Sequence, residues 1–304
     1  MESPGNTSGT RIRALFEGAE GAVEIIAPFI KKAAFQSLLL AVPSDAHVRC
    51  VTRWRPREVA AGVSDPEVFE LLESRGNYSL HIVDELHAKL YVAGARCLAG
   101  SANVTLAGLG ESAEQGNIEV LVEAATAQPE IQATLAEIAA AERPATLHMA
   151  RAVRRLADAL VTSPRKEGTL SLPWCPVSPR PELSFRFYRE PPSGFLGAAD
   201  RALLEDLAGA DVVPGLEEAE FQKQIRRLLS ECSVGAAVLG SAGDSLVTRA
   251  EVQGLLEELA EGGLASPEDL WRSAVEWLSF FFPEAVVKQQ VAVVGLRRAE
   301  LLRH

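Results

Sequence analysis

A histidine and a lysine two residues apart, His87-Ala-Lys89, open the stretch of this sequence best suited to chemistry. Gly100-Ser101-Ala-Asn103 follows, and then Asn117-Ile-Glu119. Residues two apart on a strand project from one face, so His87 and Lys89 project together, as do Ser101 and Asn103. An imidazole, an ammonium, a hydroxyl and a carboxamide converging on one spot suit a phosphate. The imidazole serves as nucleophile or proton shuttle, and the other three donate to the oxygens on which charge accumulates. Glu119 on an adjacent strand could hold the second ring nitrogen of His87 and fix its tautomer. These groups include a single carboxylate, so they predict neither a two-metal cluster nor any other cofactor. The plainer alternative is a hydrogen-bonded sheet histidine followed by an ordinary Gly-Ser-x-Asn turn.

Taken in order, these residues resemble the HxK…GSxN…NxE pattern of the phospholipase D superfamily, in its single-motif nuclease and restriction-endonuclease-like branch. Ile25-Ile-Ala-Pro-Phe-Ile30 resembles the first strand of that fold and its following turn. The resemblance implies an α/β fold, a mixed β-sheet flanked by helices. It also implies a metal-independent phosphodiesterase with His87, Lys89, Ser101, Asn103 and Glu119 as catalytic residues and a phosphohistidine intermediate. The family motif usually carries an aspartate five residues after the lysine, where this chain has Gly94. That departure keeps open a domain that retains the fold without the chemistry. In the family two such motifs face one another, one histidine attacking phosphorus and the other protonating the leaving oxygen. Of the five histidines here (His47, His81, His87, His148 and His304), only His87 stands in an HxK context. A two-fold homodimer bringing both copies of His87 together supplies the second histidine. His81 reads as a partly exposed strand residue.

The elements that must position these groups are short. Ala22–Ala27 is apolar apart from Glu24 and alternates poorly, which suggests a strand buried on both faces and closed by Pro28. Ile30–Val42 has helical spacing, and Val48–Trp54 reads as a second strand. Asp65-Pro66 is expected to cap a helix running to Arg75. Strands are expected at Tyr78–Val83, Leu86–Val92, Cys97–Ala99 and Ile118–Val122, and helices at Glu130–Ala141 and Ala145–Val161. Strands alternating with helices imply an α/β layer architecture. Prolines crowd residues 164–192, which reads as a linker carrying one edge strand at Phe185–Arg189. The organisation is therefore a catalytic domain over 1–163, the linker, and a mainly helical domain over 193–304 for specificity, dimerisation or partner binding. In the last part Thr248-Arg-Ala-Glu251 is a capping box, Ser266 caps a Trp-bearing helix, and Gln289–Val294 looks like a late strand. Helices with a late strand could form a winged-helix-like DNA reader, by analogy.

Composition bounds the rest. With 47% hydrophobic and 23% charged residues among 304, the chain has the make-up of a globular protein of about two domains. No apolar run approaches the roughly 18 residues that span a bilayer. Met1–Thr10 lacks the pattern of a secretory signal. Cys50, Cys97, Cys175 and Cys232 lie far apart with no CxxC pair, which supports neither a zinc site nor a disulfide framework. Reduced, buried thiols and a cytoplasmic setting are expected. The net charge of -11 means that nucleic acid needs a local basic surface. Arg53-Trp54-Arg55-Pro-Arg57 offers fixed charge beside an aromatic face, and is expected to bind phosphates and bases. Arg151, Arg154 and Arg155, and Lys223, Arg226 and Arg227, are further clusters. Any of the three could instead be a solvated face.

The expected substrate is DNA, with RNA second, and defence against foreign DNA fits the resemblance. Two other readings stand beside it. A phospholipid phosphodiesterase lacks a basic amphipathic anchor here, since Phe280-Phe-Phe282 reads as core. A catalytically silent phosphate-binding module would use the C-terminal half to recruit a partner.

Overall fold

The computed structural model describes residues 7–112, 116–161, 174–194, 196–240, 246–283, 286–288 and 293–296. The chain divides into two compact units, Met1–Arg154 and Arg155–His304.

The first unit opens with α1 (Ser8–Glu17) and β1 (Val23–Ile26). Three of the four β1 residues are buried, and the fourth, Glu24, pairs with Arg49. After Pro28 come α2 (Lys32–Leu39), β2 (Val48–Thr52), α3 (Pro56–Ala60) and α4 (Val68–Arg75). Asp65 does not cap α4, as the sequence suggested. Its carboxylate accepts the backbone N–H of Lys32 at 2.8 Å and the ammonium of Lys31 at 2.6 Å, so it caps α2 from across the chain. Gly76 and Asn77 both take positive φ, making the turn into β3 (Tyr78–Ile82). The unit continues with β4 (Leu90–Ala93), β5 (Arg96–Gly100), α5 (Leu106–Leu109), β6 (Leu121–Ala125), α6 (Pro129–Ala141), β7 (Arg143–Pro144) and α7 (Leu147–Val161).

Seven strands form one mixed sheet in the order β6-β5-β4-β1-β2-β3-β7. β1, β2 and β3 run parallel, while β4 is antiparallel to β1 and to β5, and β5 is antiparallel to β6. Two expected strands begin later than the residue types suggested: β4 at Leu90 rather than Leu86, and β6 at Leu121 rather than Ile118. The first delay has a visible cause. β4 pairs with β1 only as far as Ile26↔Leu90, and beyond Ile26 the chain reaches Pro28, which has no N–H to continue a ladder. His87 and Lys89 therefore lie on the extended approach to a strand rather than inside one. Helix α6 covers this end through Ile138, with Ile131 and Leu135 beside it, packed with Leu86, Leu90 and Ala88.

The unit boundary falls within α7, whose Leu156 and Ala159 join the second core. Residues 164–173 of the expected linker lie outside the described residues. The part that is described is folded into the second unit. Buried Asp206 accepts the N–H groups of Val177 (3.0 Å) and Ser178 (2.7 Å), and Trp277 Nε1 donates to the Ser178 carbonyl at 2.7 Å. The edge strand expected at Phe185–Arg189 is instead a helix, α8 (Ser184–Arg189). Phe185 and Tyr188, three apart, stack at 6.1 Å, and both rings pack on Phe221, which is helical spacing.

The second unit continues with α9 (Ala198–Ala210), α10 (Glu218–Glu231), α11 (Ser233–Gly240), β8 (Leu246–Thr248), α12 (Gln253–Glu261), α13 (Pro267–Phe281), β9 (Val286–Lys288) and β10 (Val293–Leu296). The Thr248–Glu251 capping box and the Ser266 cap are both formed. Residues 289–292 of the expected late strand lie outside the described residues, and β10 takes up the remainder. The three strands pair antiparallel in the order β8-β10-β9. From α11 onward the order among the described residues is helix, strand, two helices and two paired strands. Among the described residues no helix is long and apolar enough to cross a membrane.

Candidate active site

Backbone pairing brings the three motif segments together. Leu90 faces Ala99 across the β4–β5 ladder, and the next hydrogen bond runs from Gly100 N to the Lys89 carbonyl at 3.2 Å. Gly100 faces Leu121 across β5–β6, and Ser101 N donates to the Val120 carbonyl at 3.0 Å. Lys89, Ser101 and Glu119 thus meet where three neighbouring strands start or end. Asn103 is brought in by a fourth segment. Val104 N donates to the Phe29 carbonyl at 3.1 Å, and Lys31 N donates to the Val104 carbonyl at 2.8 Å.

The glycine of the GSxN segment is needed for this approach. A Cβ on Gly100 would sit 1.9 Å from the Val120 carbonyl oxygen, which no side chain can do. Gly94, where the resemblance leads one to expect aspartate, occupies the two-residue turn between β4 and β5 with φ +58°. Five extended residues, about 16 Å, separate it from Lys89. The departure from the pattern therefore falls at a hairpin tip, away from Lys89.

The side chains divide into two linked groups. Lys89 is 8% exposed, and its ammonium lies 2.9 Å from His87 Nδ1 and 2.7 Å from the His87 carbonyl. An ammonium has only protons to give, so Nδ1 accepts and a neutral His87 keeps its proton on Nε2. The ring itself is exposed. Burial lowers the pKa of Lys89, the charge of Arg53 lowers it further, and Glu119 opposes both. In the second group Glu119 accepts from Ser101 Oγ and, at 3.1 Å, from Asn117 Nδ2. Ser101 Oγ in turn receives Val120 N–H at 3.0 Å.

The sequence suggested that Glu119 orients His87. Within one chain Lys89 does so instead, because it occupies the Nδ1 side of the ring while both Glu119 oxygens are engaged by Ser101 and Asn117. Asn103 Oδ1 is buried without a hydrogen-bond partner among the described residues. Leaving such an oxygen unpaired carries a desolvation cost of about 1–3 kcal/mol.

Arg53, Trp54, Arg55 and Arg57 are placed differently from the expectation of a nucleic-acid-binding patch. Trp54 is 1% exposed, so its ring fills the core and offers no face to a base. Arg53 and Arg55 donate to the Leu86 and Asp84 carbonyls, at 2.9 and 3.1 Å, in the loop that leads into His87. Arg57 is half-buried. The other basic clusters also have internal partners: Arg154 grips Glu67 with two hydrogen bonds, Arg155 donates to the Pro191 carbonyl, and Arg226 lies over Phe282. His81 is half-buried, with Nε2 3.8 Å from Glu142. All four cysteines are buried free thiols. Sequence reasoning missed the holding contacts, including Arg11, which donates to the Leu121 carbonyl at 2.7 Å from 110 residues away. No local pattern announces a partner that distant.

No family model matches the chain, and no curated protein matches its sequence. Among solved structures, a phospholipase D family member, Nuc from Salmonella typhimurium, matches at 14% identity and TM-score 0.34, over 47% of this chain and 93% of its own. NucT from Helicobacter pylori matches at 12% identity and TM-score 0.34, over 43% of this chain and 85% of its own. A phosphatidylserine synthase from Haemophilus influenzae matches at 16% identity and TM-score 0.34, over 53% of this chain and 43% of its own, so the chain spans under half of that enzyme. The unit Met1–Arg154 is a mixed sheet flanked by helices that gathers the HxK, GSxN and NxE segments at one end of neighbouring strands.

Proposed function

We propose that this chain is a metal-independent phosphodiesterase that cleaves nucleic acid, DNA first, from a site completed by a second copy of itself. The observation that carries the reading is the convergence of His87, Lys89, Ser101 and Glu119 where β4, β5 and β6 adjoin. In the first step Nε2 of one His87 attacks phosphorus, a P–N bond forms and the P–O bond to the leaving group breaks. The leaving oxygen takes the Nε2 proton of the partner's His87. Water then attacks the phosphohistidine, passing its proton to that second ring, and the P–N electron pair returns to Nε2. Lys89 and the Asn103 amide N–H groups donate to the non-bridging oxygens as charge builds there, while Glu119 holds the Ser101 hydroxyl beside them.

The two rings need different proton states. His87 held at Nδ1 by an ammonium carries its proton on Nε2, which is the acid. The nucleophile needs its proton on Nδ1 instead, so in that copy the contact between Nδ1 and the Lys89 ammonium must open, since an ammonium cannot accept.

A surface for the second copy lies beside the motif. Ile118, Val120 and Val122 are 104%, 59% and 59% exposed, alternate along one face, and lead into β6 at the sheet edge. A period-two apolar stripe on an edge is a pairing surface. In the second unit α13, which stands where a winged helix would read DNA, exposes Glu268 and Asp269 in its first turn. That acidic turn favours protein contact over phosphate contact for this unit.

The test is cleavage of plasmid DNA in excess chelator by wild-type chains mixed with folded His87→Ala chains. Activity is expected to survive chelator and to fall as the square of the wild-type fraction. Strict dependence on added magnesium would refute the mechanism, and a linear fall would refute the shared site.

A further inference from the structure

Arg53 follows β2 directly, and its guanidinium is engaged on three sides. Its Nε and Nη2 meet both oxygens of Glu58, Nε at 3.2 Å. Nη1 donates to the Leu86 carbonyl at 2.9 Å, and the group lies 5.1 Å from the centroid of the Phe29 ring. Leu86 precedes His87. The Phe29 carbonyl receives the N–H of Val104, the residue after Asn103. One side chain therefore touches the segment that carries His87 and Lys89 and also the segment against which Asn103 is laid. Arg55 reinforces the first contact from two residues on, donating to the Asp84 carbonyl at 3.1 Å. A planar fork locked by a carboxylate and stacked on a ring has little freedom left, which suits holding a fixed geometry rather than following a mobile phosphate backbone.

We propose that Arg53 is a positioning residue: locked by Glu58 and stacked on Phe29, it fixes the Leu86 carbonyl and with it the approach of His87 and Lys89 to the phosphate. The effect on turnover rests on the phosphodiesterase reading, whereas the effect on Lys89 does not. The charged or titratable groups that reach Lys89 are Arg53 with its partner Glu58, Glu119 from the segment before β6, and His87 on its own segment. Burial lowers the Lys89 pKa first and Arg53 lowers it further. Removing the Arg53 charge should therefore raise the pH at which Lys89 loses its proton. Removing the Glu58 charge, which leaves Arg53 uncompensated, should lower it.

The experiment is pulse acylation of the full chain with acetic anhydride across pH, with Lys89 read by peptide mass spectrometry. It needs no substrate, so it stands whether or not the chain proves to be a nuclease. In Arg53→Met the midpoint is expected to move to higher pH, in Glu58→Gln to lower pH, and in Arg53→Lys to stay near wild type. In cleavage assays Arg53→Met should lose about a hundredfold in kcat, the scale of a small misplacement of reacting groups, with KM and the salt dependence of DNA binding retained. Glu58→Gln, the milder change, carries the test if Arg53→Met does not fold. Midpoints unmoved in folded variants would overturn the proposal. So would a loss in Arg53→Met that lies wholly in KM with a flatter salt slope, since that would make Arg53 a phosphate ligand.

Discussion

Replacing Gly100 by alanine tests whether the meeting of β5 with the Glu119 segment makes the site. The new Cβ would stand 1.9 Å from the Val120 carbonyl oxygen and 2.8 Å from its carbon, both backbone atoms that no rotamer can move aside. An ordinary C···O separation is about 3.3 Å, so the two segments must part by about 1.4 Å. That opening breaks the Ser101 N–Val120 O and Val120 N–Ser101 Oγ hydrogen bonds, both 3.0 Å, and carries Glu119 away from Ser101. A displacement near 1 Å costs on the order of a hundredfold in rate. Overpacking of a well-fitted contact costs about 1–3 kcal/mol, which at about 2–4 °C per kcal/mol is a modest loss in Tm. The assay is cleavage of plasmid DNA in chelator, with thermal unfolding followed on the same samples. Gly100→Ala is expected to stay folded and lose about two orders of magnitude in kcat. Wild-type turnover in a folded Gly100→Ala protein would mean that the close approach is packing and that Ser101 and Glu119 lie outside the chemistry.

Two further expectations follow from the same geometry. His87→Ala should abolish turnover without unfolding the protein, because the ring is exposed, whereas Lys89→Ala and Asn103→Ala should each cost about a hundredfold as lost donors to the transition state; kcat and unfolding curves of the three variants check this, and substantial cleavage by His87→Ala would show that the site is misplaced. Ile118→Glu with Val120→Glu should leave each chain folded, since both side chains are exposed, but shift the protein to monomer and remove activity together; sedimentation beside the plasmid assay checks this, and an active monomer would refute the shared site.

The residues alone determined the side-chain types of the candidate site and the sequence order of its parts. His87 and Lys89 two apart, the Gly100–Asn103 segment and Asn117–Glu119 could be read as a phosphate-handling set because side-chain type and spacing are local properties. The largely apolar stretch at β1, the α6 and α7 helices, the Thr248–Glu251 capping box and the Ser266 cap were legible for the same reason. Contacts between distant segments were decided only in the tertiary structure. Asp65 caps α2 rather than the helix that follows it, since a helix's N-terminal N–H donates to any carboxylate the fold brings near. The Phe185–Arg189 aromatics form a helix because Phe221 of α10 gathers Phe185 and Tyr188 onto one face. Arg53-Trp54-Arg55 looks like a binding patch in one dimension, and its partners Glu58, Leu86 and Asp84 turn it inward. The pairing of His87 with Lys89 rather than Glu119 is likewise a matter of which side chain reaches Nδ1. A sequence gives the groups and their order, but a hydrogen bond is decided by distance and direction, and these exist only once β4, β5 and β6 lie side by side.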